Sequence, residues 1–408
     1  MTDAEAQTRG HDDSIPKGLN HSAQGCGVAA TLGTRADPPS HNSERVASAS
    51  TQRAISIFNS TAVDRLRAEL KFEPRRLRAL RTALYKRFRG ADAALIELPA
   101  DVRDEFARRV EFHPLTVADI RNSQLDGATK LVLQTKAGYL IESVIMRTGT
   151  GRVSLCVSSQ VGCAAACEFC ATGQMGVAKN LSAAEILDQV VLAGEWMRAE
   201  GRSVRNIVFM GMGEPFHNEQ AVYEAVAALL SPELFHHTPG RILISTVGIP
   251  DAMVRCARRF PQVNLALSLH SVRQNIREQL IPLATKYSLD ELRAAVANVN
   301  QIQNNTVMIE YLMLAGVNDS QADASELAAW LTGLNAHVNL IPYNPIASAP
   351  HLRTTERPER DAFAAILRDA GFTTTIRYSL GADIAAACGQ LVQSENRQIA
   401  QQQATPVG

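Results

Sequence analysis

The feature that most constrains the fold is the alternation of short β-rich runs with helical segments after Arg152. The runs are SLCVSS, NIVFMG, RILIST, VNLALSLH, TVMIEYLML, HVNLIPY and TTTIRYS. Strands that alternate with helices in this way form a parallel sheet with helical crossover connections. Ser182 with Glu185, and Ser288 with Glu291, have the spacing of the capping boxes that begin helices. The sequence therefore predicts an α/β fold of six or seven parallel strands, an open or closed β/α barrel with functional residues at the carboxyl ends of its strands.

The segments outside this β/α region differ from it in composition and periodicity. Residues 1–53 are rich in Ser, Thr, Ala, Gly, Pro and Asn and have no apolar periodicity, which is typical of disorder. Apolar residues from Ile55 to Phe112 follow a helical period, and the alternation over residues 129–148 predicts a two-stranded hairpin that turns at residues 136–138. The predicted organisation is a disordered tail at 1–53, a helical RNA-binding accessory domain at 54–125, a β-hairpin extension at 126–152, a β/α barrel at 153–395 and a C-terminal tail at 396–408.

Charge and hydropathy narrow the location of the protein. Lys plus Arg equals Asp plus Glu at 41 each, so a role in nucleic-acid binding requires a local basic patch. No apolar run reaches the roughly 18 residues of a membrane span. The polar start MTDAEAQTRGHDD also lacks the apolar core of a secretory signal. We therefore expect a cytoplasmic protein with no membrane partner.

A local basic patch does occur over residues 65–89. Ten Lys or Arg residues stand there against two acids, with aromatic residues interleaved. Such a segment is typical of a nucleic-acid contact, and this hypothesis assigns phosphate contacts to Arg75, Arg76, Arg78 and Arg81. A solvated basic helix face is the alternative interpretation.

The cysteines indicate metal binding or catalysis. Seven cysteines in a chain without a secretory signal argue against a disulfide scaffold. Cys163, Cys167 and Cys170 form the motif CxxxCxxC after the first strand of the β/α region. Three thiolates on one tight loop can hold three irons of a 4Fe-4S cluster and leave the fourth iron open for reaction. A structural zinc site with Cys156 as fourth ligand is the alternative.

This motif at the first strand of a β/α barrel resembles that of the radical S-adenosylmethionine (SAM) superfamily. In that superfamily the open iron binds the amino and carboxylate groups of SAM, and electron transfer into the sulfonium yields a 5′-deoxyadenosyl radical. Further runs resemble the RlmN and Cfr group, which methylates an adenine of 23S rRNA: CVSSQVGCAAACEFC, FMGMGEP, ISTVGIP, LSLHS, GVND, HVNLIPYNP and DIAAACGQL. The resemblance covers residues 60–395. It implies a partial (β/α)6 radical SAM barrel, one 4Fe-4S cluster held by Cys163, Cys167 and Cys170, and SAM as a cofactor.

The same resemblance implies a set of SAM contacts at the strand ends. Gly213 and Glu214, in MGMGEP, match the backbone edge and the carboxylate that meet the SAM ammonium. The other matching positions are Ser245, Ser268, Leu269, His270 and Asn344.

Three further residues match catalytic positions of the RlmN and Cfr group. Cys388, in AAACGQL, matches the cysteine that receives a methyl group from one of the two SAM molecules used per turnover. A radical made from the other SAM removes hydrogen from that methyl group, because carbons 2 and 8 of adenine are too weakly nucleophilic to attack SAM directly. Cys156 matches the cysteine that releases product through a transient disulfide with Cys388, and Glu142 matches the proton acceptor.

The resemblance leaves the target atom and the other classes of function open. The general motif set favours RlmN-like methylation of carbon 2, whereas SPELF and PQVNL look closer to Cfr, which methylates carbon 8. Transfer RNA is a further candidate substrate of the expected monomer, and flavodoxin or ferredoxin is the expected electron donor. A different hydrogen-abstracting radical SAM enzyme has no need for both Cys156 and Cys388. A metal-stabilised RNA-binding module without catalysis has no need for GMGEP or SLH.

Overall fold

A computed structural model describes residues 54–391 together with Asn396 and Ile399. The predicted disordered tail at 1–53 and most of the predicted C-terminal tail lie outside the described residues. By its internal contacts the chain divides into residues 1–52 and residues 53–408, and the described residues belong to the second unit.

Four helices lie within the segment whose apolar period predicted helix: α1 (Ser60–Glu69), α2 (Pro74–Tyr85), α3 (Ala91–Leu95) and α4 (Ala100–Arg109). Helix α1 begins after Asn59, whose side chain accepts a hydrogen bond from the N–H of Ala62. Helix α2 begins with Pro74, which lacks the N–H that a first helical turn leaves unpaired. The short strands β1 (Ile55–Ser56) and β2 (Val110–Glu111) pair in parallel and bring the two ends of the helical segment together.

The extension that follows has three antiparallel strands, β3 (Leu115–Asn122), β4 (Ala128–Thr135) and β5 (Leu140–Arg147). The prediction of a two-stranded hairpin was therefore wrong in strand number, although β4 and β5 do turn at residues 136–139. Strand β3 lies within the range assigned to the helical domain. It was missed because only Leu115 of its eight residues is buried, so it has no apolar alternation. It is an edge strand with polar residues along most of its length.

The remaining strands are β6 (Val153–Cys156), β7 (Gln160–Cys163), β8 (Gly176–Asn180), β9 (Asn206–Phe209), β10 (Ile242–Thr246), β11 (Asn264–Ser268), β12 (Val307–Met313), β13 (Ala336–Pro342) and β14 (Thr373–Ile376). In the large sheet β6 and β9 to β14 are parallel and neighbour one another in chain order. Strand β5 joins β6 antiparallel and carries the extension into the same sheet. The sheet has β14 and β3 as its edges, so the predicted α/β fold with a partial barrel is confirmed.

The helices of this region are α5 (Ala183–Ala199), α6 (Glu219–Leu230), α7 (Pro250–Arg259), α8 (Gln274–Leu280), α9 (Leu289–Gln303), α10 (Gln321–Leu331) and α11 (Arg357–Asp369). The capping boxes predicted at Ser182 and Ser288 are confirmed at the starts of α5 and α9. A third, at Ser320, begins α10. Within the described residues, no helix combines the length and the apolar character needed to cross a membrane.

Candidate active site at the carboxyl ends of the parallel strands

The loop between β7 and β8 carries the cysteines of the CxxxCxxC motif. Cys163 and Cys167 are buried and Cys170 is partly exposed, and all three line one cavity, the cluster cavity, with residues that follow β9, β10 and β11. Gly162, with φ +83°, lies where β7 meets β8, and a Cβ atom there would overlap the backbone of Gly176. Glycine at this position therefore allows the close approach that shapes the cysteine loop.

The chemistry of these thiols fits an iron–sulfur cluster. Burial raises the pKa of Cys163 to about 12, and burial also raises the pKa of Cys167 and of Cys170. Thiolates in such surroundings need the positive charge of a bound metal. Across residues 54–391, no three or more His, Cys, Asp or Glu side chains converge on a single metal ion. A 4Fe-4S cluster does not require that convergence, because its cysteines bind different irons.

Glu214 is held in the cluster cavity by backbone donors. Its carboxylate accepts hydrogen bonds from the N–H of Phe216 at 3.0 Å and of Val247 at 2.8 Å. Burial raises the pKa of Glu214, and these hydrogen bonds act in the opposite direction. The preceding Gly213 has φ +103°, and a Cβ atom there would lie 2.8 Å from the backbone nitrogen of Gln160. The glycine therefore lets the chain turn closely over β7 and point Glu214 towards the cysteine loop.

His270 is a buried, neutral hydrogen-bond acceptor. Its Nδ1 accepts a hydrogen bond from the N–H of Leu312 at 3.0 Å, and its ring meets that of Phe169 edge-on at 4.8 Å. Burial, with a smaller contribution from Arg277, lowers the pKa of His270 to about 3. This histidine thus connects the end of β11 to β12 and to the cysteine loop, and it lines the cluster cavity.

The other predicted SAM positions differ in their placement. Ser245 and Ser268 line the cluster cavity, with their Oγ atoms 3.4 Å apart. The side chain of Leu269 is fully buried in the core. Asn344 donates hydrogen bonds to Ser379 Oγ at 2.9 Å and to the carbonyl oxygen of Cys388 at 3.1 Å. Asn344 thus connects the end of β13 to the segment that carries Cys388.

Cys388 lies between two cavities. A second cavity of about 750 Å³, the barrel cavity, runs along the inside of the parallel strands and is lined by Cys156, at the end of β6, and by Cys388. Within the described chain, Met210, Cys388 and Leu391 are the residues that line both cavities. Burial raises the pKa of Cys156 to about 12 and that of Cys388 to about 11, while the guanidinium of Arg377 acts in the opposite direction on both thiols.

The segment around Cys388 is tied down on both sides. The N–H of Ala171, in the cysteine loop, donates a hydrogen bond to the Gly389 carbonyl at 2.7 Å. Thr172 Oγ1 donates to the Leu391 carbonyl at 2.5 Å. The structure therefore holds Cys388 directly beside the cluster motif, although more than two hundred residues separate them in the sequence.

Comparison with known proteins identifies the family. The family model of the Radical SAM superfamily matches residues 157–328. A probable RNA methyltransferase of Rhodopirellula baltica is 52% identical over 349 residues, covering 86% of this chain and 90% of that protein. A dual-specificity RNA methyltransferase RlmN of Ruthia magnifica subsp. Calyptogena magnifica is 38% identical over 82% of this chain and 93% of its own length. This chain belongs to the RlmN family of radical SAM RNA methyltransferases.

A solved structure agrees with this assignment. The crystal structure of a radical SAM methyltransferase from Sphaerobacter thermophilus matches with a TM-score of 0.78 and 39% identity, over 83% of this chain and 99% of that chain. The predicted family and enzyme class are thus confirmed. Membership of the RlmN family implies a 4Fe-4S cluster and SAM as cofactors. The three motif cysteines, with their open cavity beside Glu214, are the residues of this chain that would hold them.

Glu142 of this RlmN-family chain lies outside the linings of the cluster cavity and the barrel cavity, as far as the described residues define them. It is fully buried on β5, two residues before Val144, which does line the barrel cavity. Its Oε1 lies 2.9 Å from the ammonium of Lys130. Its role as proton acceptor stays a prediction.

Two charged residues of the site were missed by the sequence analysis. Arg377, on the segment after β14, lines the barrel cavity, and Glu310, on β12, lines the cluster cavity. The available signal was a single charge within an otherwise apolar or hydroxyl-rich strand run, in MIEYL and in TIRYS. A charge inside a buried strand is costly, so it points to a partner or a ligand.

The basic segment needs one correction. Arg75, Arg76 and Arg78 are exposed on α2, as a nucleic-acid contact requires. Arg81 is only 4% exposed, and its guanidinium lies 3.1 Å from Asp64 and 3.7 Å from Glu233. The assignment of a phosphate contact to Arg81 was therefore wrong, because the helical period turns this residue inward to acidic partners.

Proposed function

We propose that this chain methylates carbon 2 of an adenine in 23S rRNA, with transfer RNA as a second substrate, through an S-methyl group carried by Cys388. The observation that carries the proposal is the position of Cys388 between the cluster cavity and the barrel cavity. A methyl carrier has to meet a methyl donor and a methyl acceptor in turn. A thiol that lines both cavities can do so with a small displacement of one side chain.

The protein's own residues divide the reaction among them. When bound, SAM and the cluster supply the methyl group and the radical chemistry. The sulfur of Cys388 first accepts the methyl group. After that group loses a hydrogen atom, its carbon adds to the adenine ring in the barrel cavity. Glu142 accepts the ring proton, and the thiolate of Cys156 attacks the sulfur of Cys388, so that the product carbon leaves and a disulfide forms.

The substrate assignment is supported by the family and by the surface of the protein. The RNA must present an adenine that has left its stack, and the exposed arginines of α2 can hold the displaced backbone. Relatives named dual-specificity RNA methyltransferases RlmN support carbon 2 and two classes of RNA. The SPELF and PQVNL runs favour the second candidate, Cfr-like methylation of carbon 8. The proposal includes a flavodoxin or ferredoxin as reductant, a monomeric enzyme and a cytoplasmic location.

Nucleoside mass spectrometry tests this function. Anaerobically reconstituted protein is incubated with SAM, a reductant and 23S rRNA or transfer RNA from cells that lack the gene. We expect 2-methyladenosine in digests of both RNAs. Formation of 8-methyladenosine would establish the Cfr-like activity instead. RNA binding without any methylated nucleoside would favour the non-catalytic module.

Two cysteine variants test the carrier mechanism, because their roles fall at different steps. Cys388→Ala should keep iron and SAM but form neither methylated protein nor methylated RNA. Cys156→Ala should stall with RNA attached through the Cys388 methylene, seen on a denaturing gel as a nuclease-sensitive upward shift. Cys256→Ala is the matched control, because Cys256 is a buried thiol on α7 outside the linings of both cavities, as described. Normal turnover by Cys156→Ala would contradict the two-cysteine mechanism.

A further inference from the structure

Glu310 is a buried carboxylate with one oxygen left for a ligand. The residue is 2% exposed on β12, and its Oε2 accepts a hydrogen bond from Asn339 Nδ2 at 2.8 Å. Its Oε1 is buried and has no hydrogen-bond partner among the described residues. An unsatisfied buried acceptor costs free energy, so native proteins rarely keep one without a function.

A chain of hydrogen bonds sets the orientation of this carboxylate. Asn339 Oδ1 accepts a hydrogen bond from Thr375 Oγ1 at 3.0 Å, and His337 Nε2 lies 2.9 Å from the same hydroxyl. The amide of Asn339 must therefore present its NH₂ group to Glu310. With Oε2 engaged in this way, Oε1 is the atom of Glu310 that is free to meet a ligand in the cluster cavity, which Glu310 lines.

The neighbours of Glu310 indicate which part of a ligand it meets. Across the parallel ladder Glu310 pairs with Ser268, whose hydroxyl is 3.4 Å from that of Ser245. All three side chains line the cluster cavity, so they form a row of two hydroxyls and one carboxylate. Such a row complements hydroxyl groups, since a carboxylate accepts from O–H and a serine can both donate and accept.

The position along β12 places this row below the cysteine loop. Leu312 packs in one cluster of buried residues with Cys163 and Cys167. Glu310 precedes it by two residues on the same face, which is about 6.6 Å along a strand. A SAM molecule held at the cysteine loop by its methionine end has its nucleoside extending away from that loop. We propose that Oε1 of Glu310 accepts a hydrogen bond from a ribose hydroxyl of SAM, which makes Glu310 a cofactor-binding residue.

This inference rests on the proposed use of SAM, and binding measurements test it without turnover. Glu310→Gln keeps the shape and replaces the acceptor by an amide donor. We expect the dissociation constant of SAM, by equilibrium dialysis on reconstituted protein, to rise about tenfold to a hundredfold, as for loss of a hydrogen bond to a charged group. Glu326→Gln, on the exposed face of α10, is the matched control and should bind SAM as the wild type does.

A SAM analogue that lacks one ribose hydroxyl identifies the ligand atom. We test the 2′-deoxy and the 3′-deoxy analogues separately. One of them should lose affinity on the wild type and lose much less on Glu310→Gln, because the bond is already absent there. If each analogue lost equal affinity on the two proteins, the ribose assignment would be wrong. Normal SAM binding with weakened RNA binding by Glu310→Gln would also overturn it, in favour of a contact with the RNA base.

Thermal unfolding separates this role from a structural one. Without SAM, Glu310→Gln should be at least as stable as the wild type, because it removes an unsatisfied buried carboxylate. Its stabilisation by added SAM should be smaller. A less stable variant with unchanged SAM affinity would show that Glu310 only supports the fold. A wild-type protein that bound SAM in this way but made no methyladenosine would refute the proposed function and leave the present inference standing.

Discussion

The ammonium of Lys130 lies 2.9 Å from Oε1 of Glu142, and both side chains are fully buried. Lys130 also donates a hydrogen bond to the carbonyl oxygen of Ala385 at 3.1 Å, three residues before Cys388. The ion pair of the extension thus holds the segment that carries the proposed methyl carrier. The same contact places a cation beside the proposed proton acceptor.

Breaking this pair should destabilise the protein strongly. Lys130→Met leaves the carboxylate of Glu142 buried without its cation, and we expect the free energy of unfolding to fall by about 3 kcal/mol or more. Lys130→Met with Glu142→Gln should lose less, because no uncompensated charge remains. Urea unfolding measures both. Arg357→Gln breaks an exposed pair with Asp361 and should have no measurable effect. Equal losses in the single and the double variant would show that the pairing is not the cause.

The cluster assignment predicts a metal content. Replacement of Cys163, Cys167 or Cys170 by Ala should abolish iron and labile sulfide in anaerobically reconstituted protein, since three thiolates are the fewest that hold an open-iron cluster. Elemental analysis and the visible absorption spectrum report this directly. Cys256→Ala should keep the cluster. Stoichiometric zinc without iron in the wild type would favour the structural-metal alternative.

The basic face of α2 predicts a salt-dependent RNA affinity. Replacing Arg75, Arg76 and Arg78 by Gln should weaken binding of rRNA fragments and flatten the dependence of log K on log salt by up to about three contacts' worth. Cluster content should not change. Arg258→Gln, on the exposed side of α7, is the control for a charge elsewhere. An unchanged salt slope in the triple variant would identify the patch as a solvated helix face.

His270 predicts a pH dependence of stability. Burial lowers its folded-state pKa to about 3, whereas the unfolded chain titrates near pH 6.5. The unfolded state therefore binds the proton first, and stability is lost as the pH falls from about 6.5. At pH 5.5 the loss is about 1.4 kcal/mol relative to pH 8.

Comparison with His270→Asn isolates this contribution from those of the other histidines. Asparagine tolerates the φ of +61° at this position and keeps an acceptor for the N–H of Leu312. The stability difference between the two proteins, from urea unfolding of the metal-free chains, should change by about 1.4 kcal/mol between pH 8 and 5.5. A constant difference would mean that His270 is not held neutral.

The sequence by itself determined the parts of this protein that depend on near neighbours in the chain. The strand runs, the capping boxes at Ser182 and Ser288 and the CxxxCxxC spacing all act over a few residues, so their patterns predicted the parallel sheet and the cysteine loop. Strand β3 escaped because its face is solvated and leaves no apolar period to recognise.

Only the tertiary structure decided which distant residues share a cavity and which charges have partners. Cys388 stands beside the cysteine loop because the N–H of Ala171 and the side chain of Asn344 hold its segment there. Arg81 is paired and buried, whereas its neighbours on α2 are exposed. Glu310 keeps one oxygen without a described partner because Asn339 occupies the other. These relationships depend on how the strands and helices pack, and a sequence pattern of period two or 3.6 carries no information about contacts between distant elements.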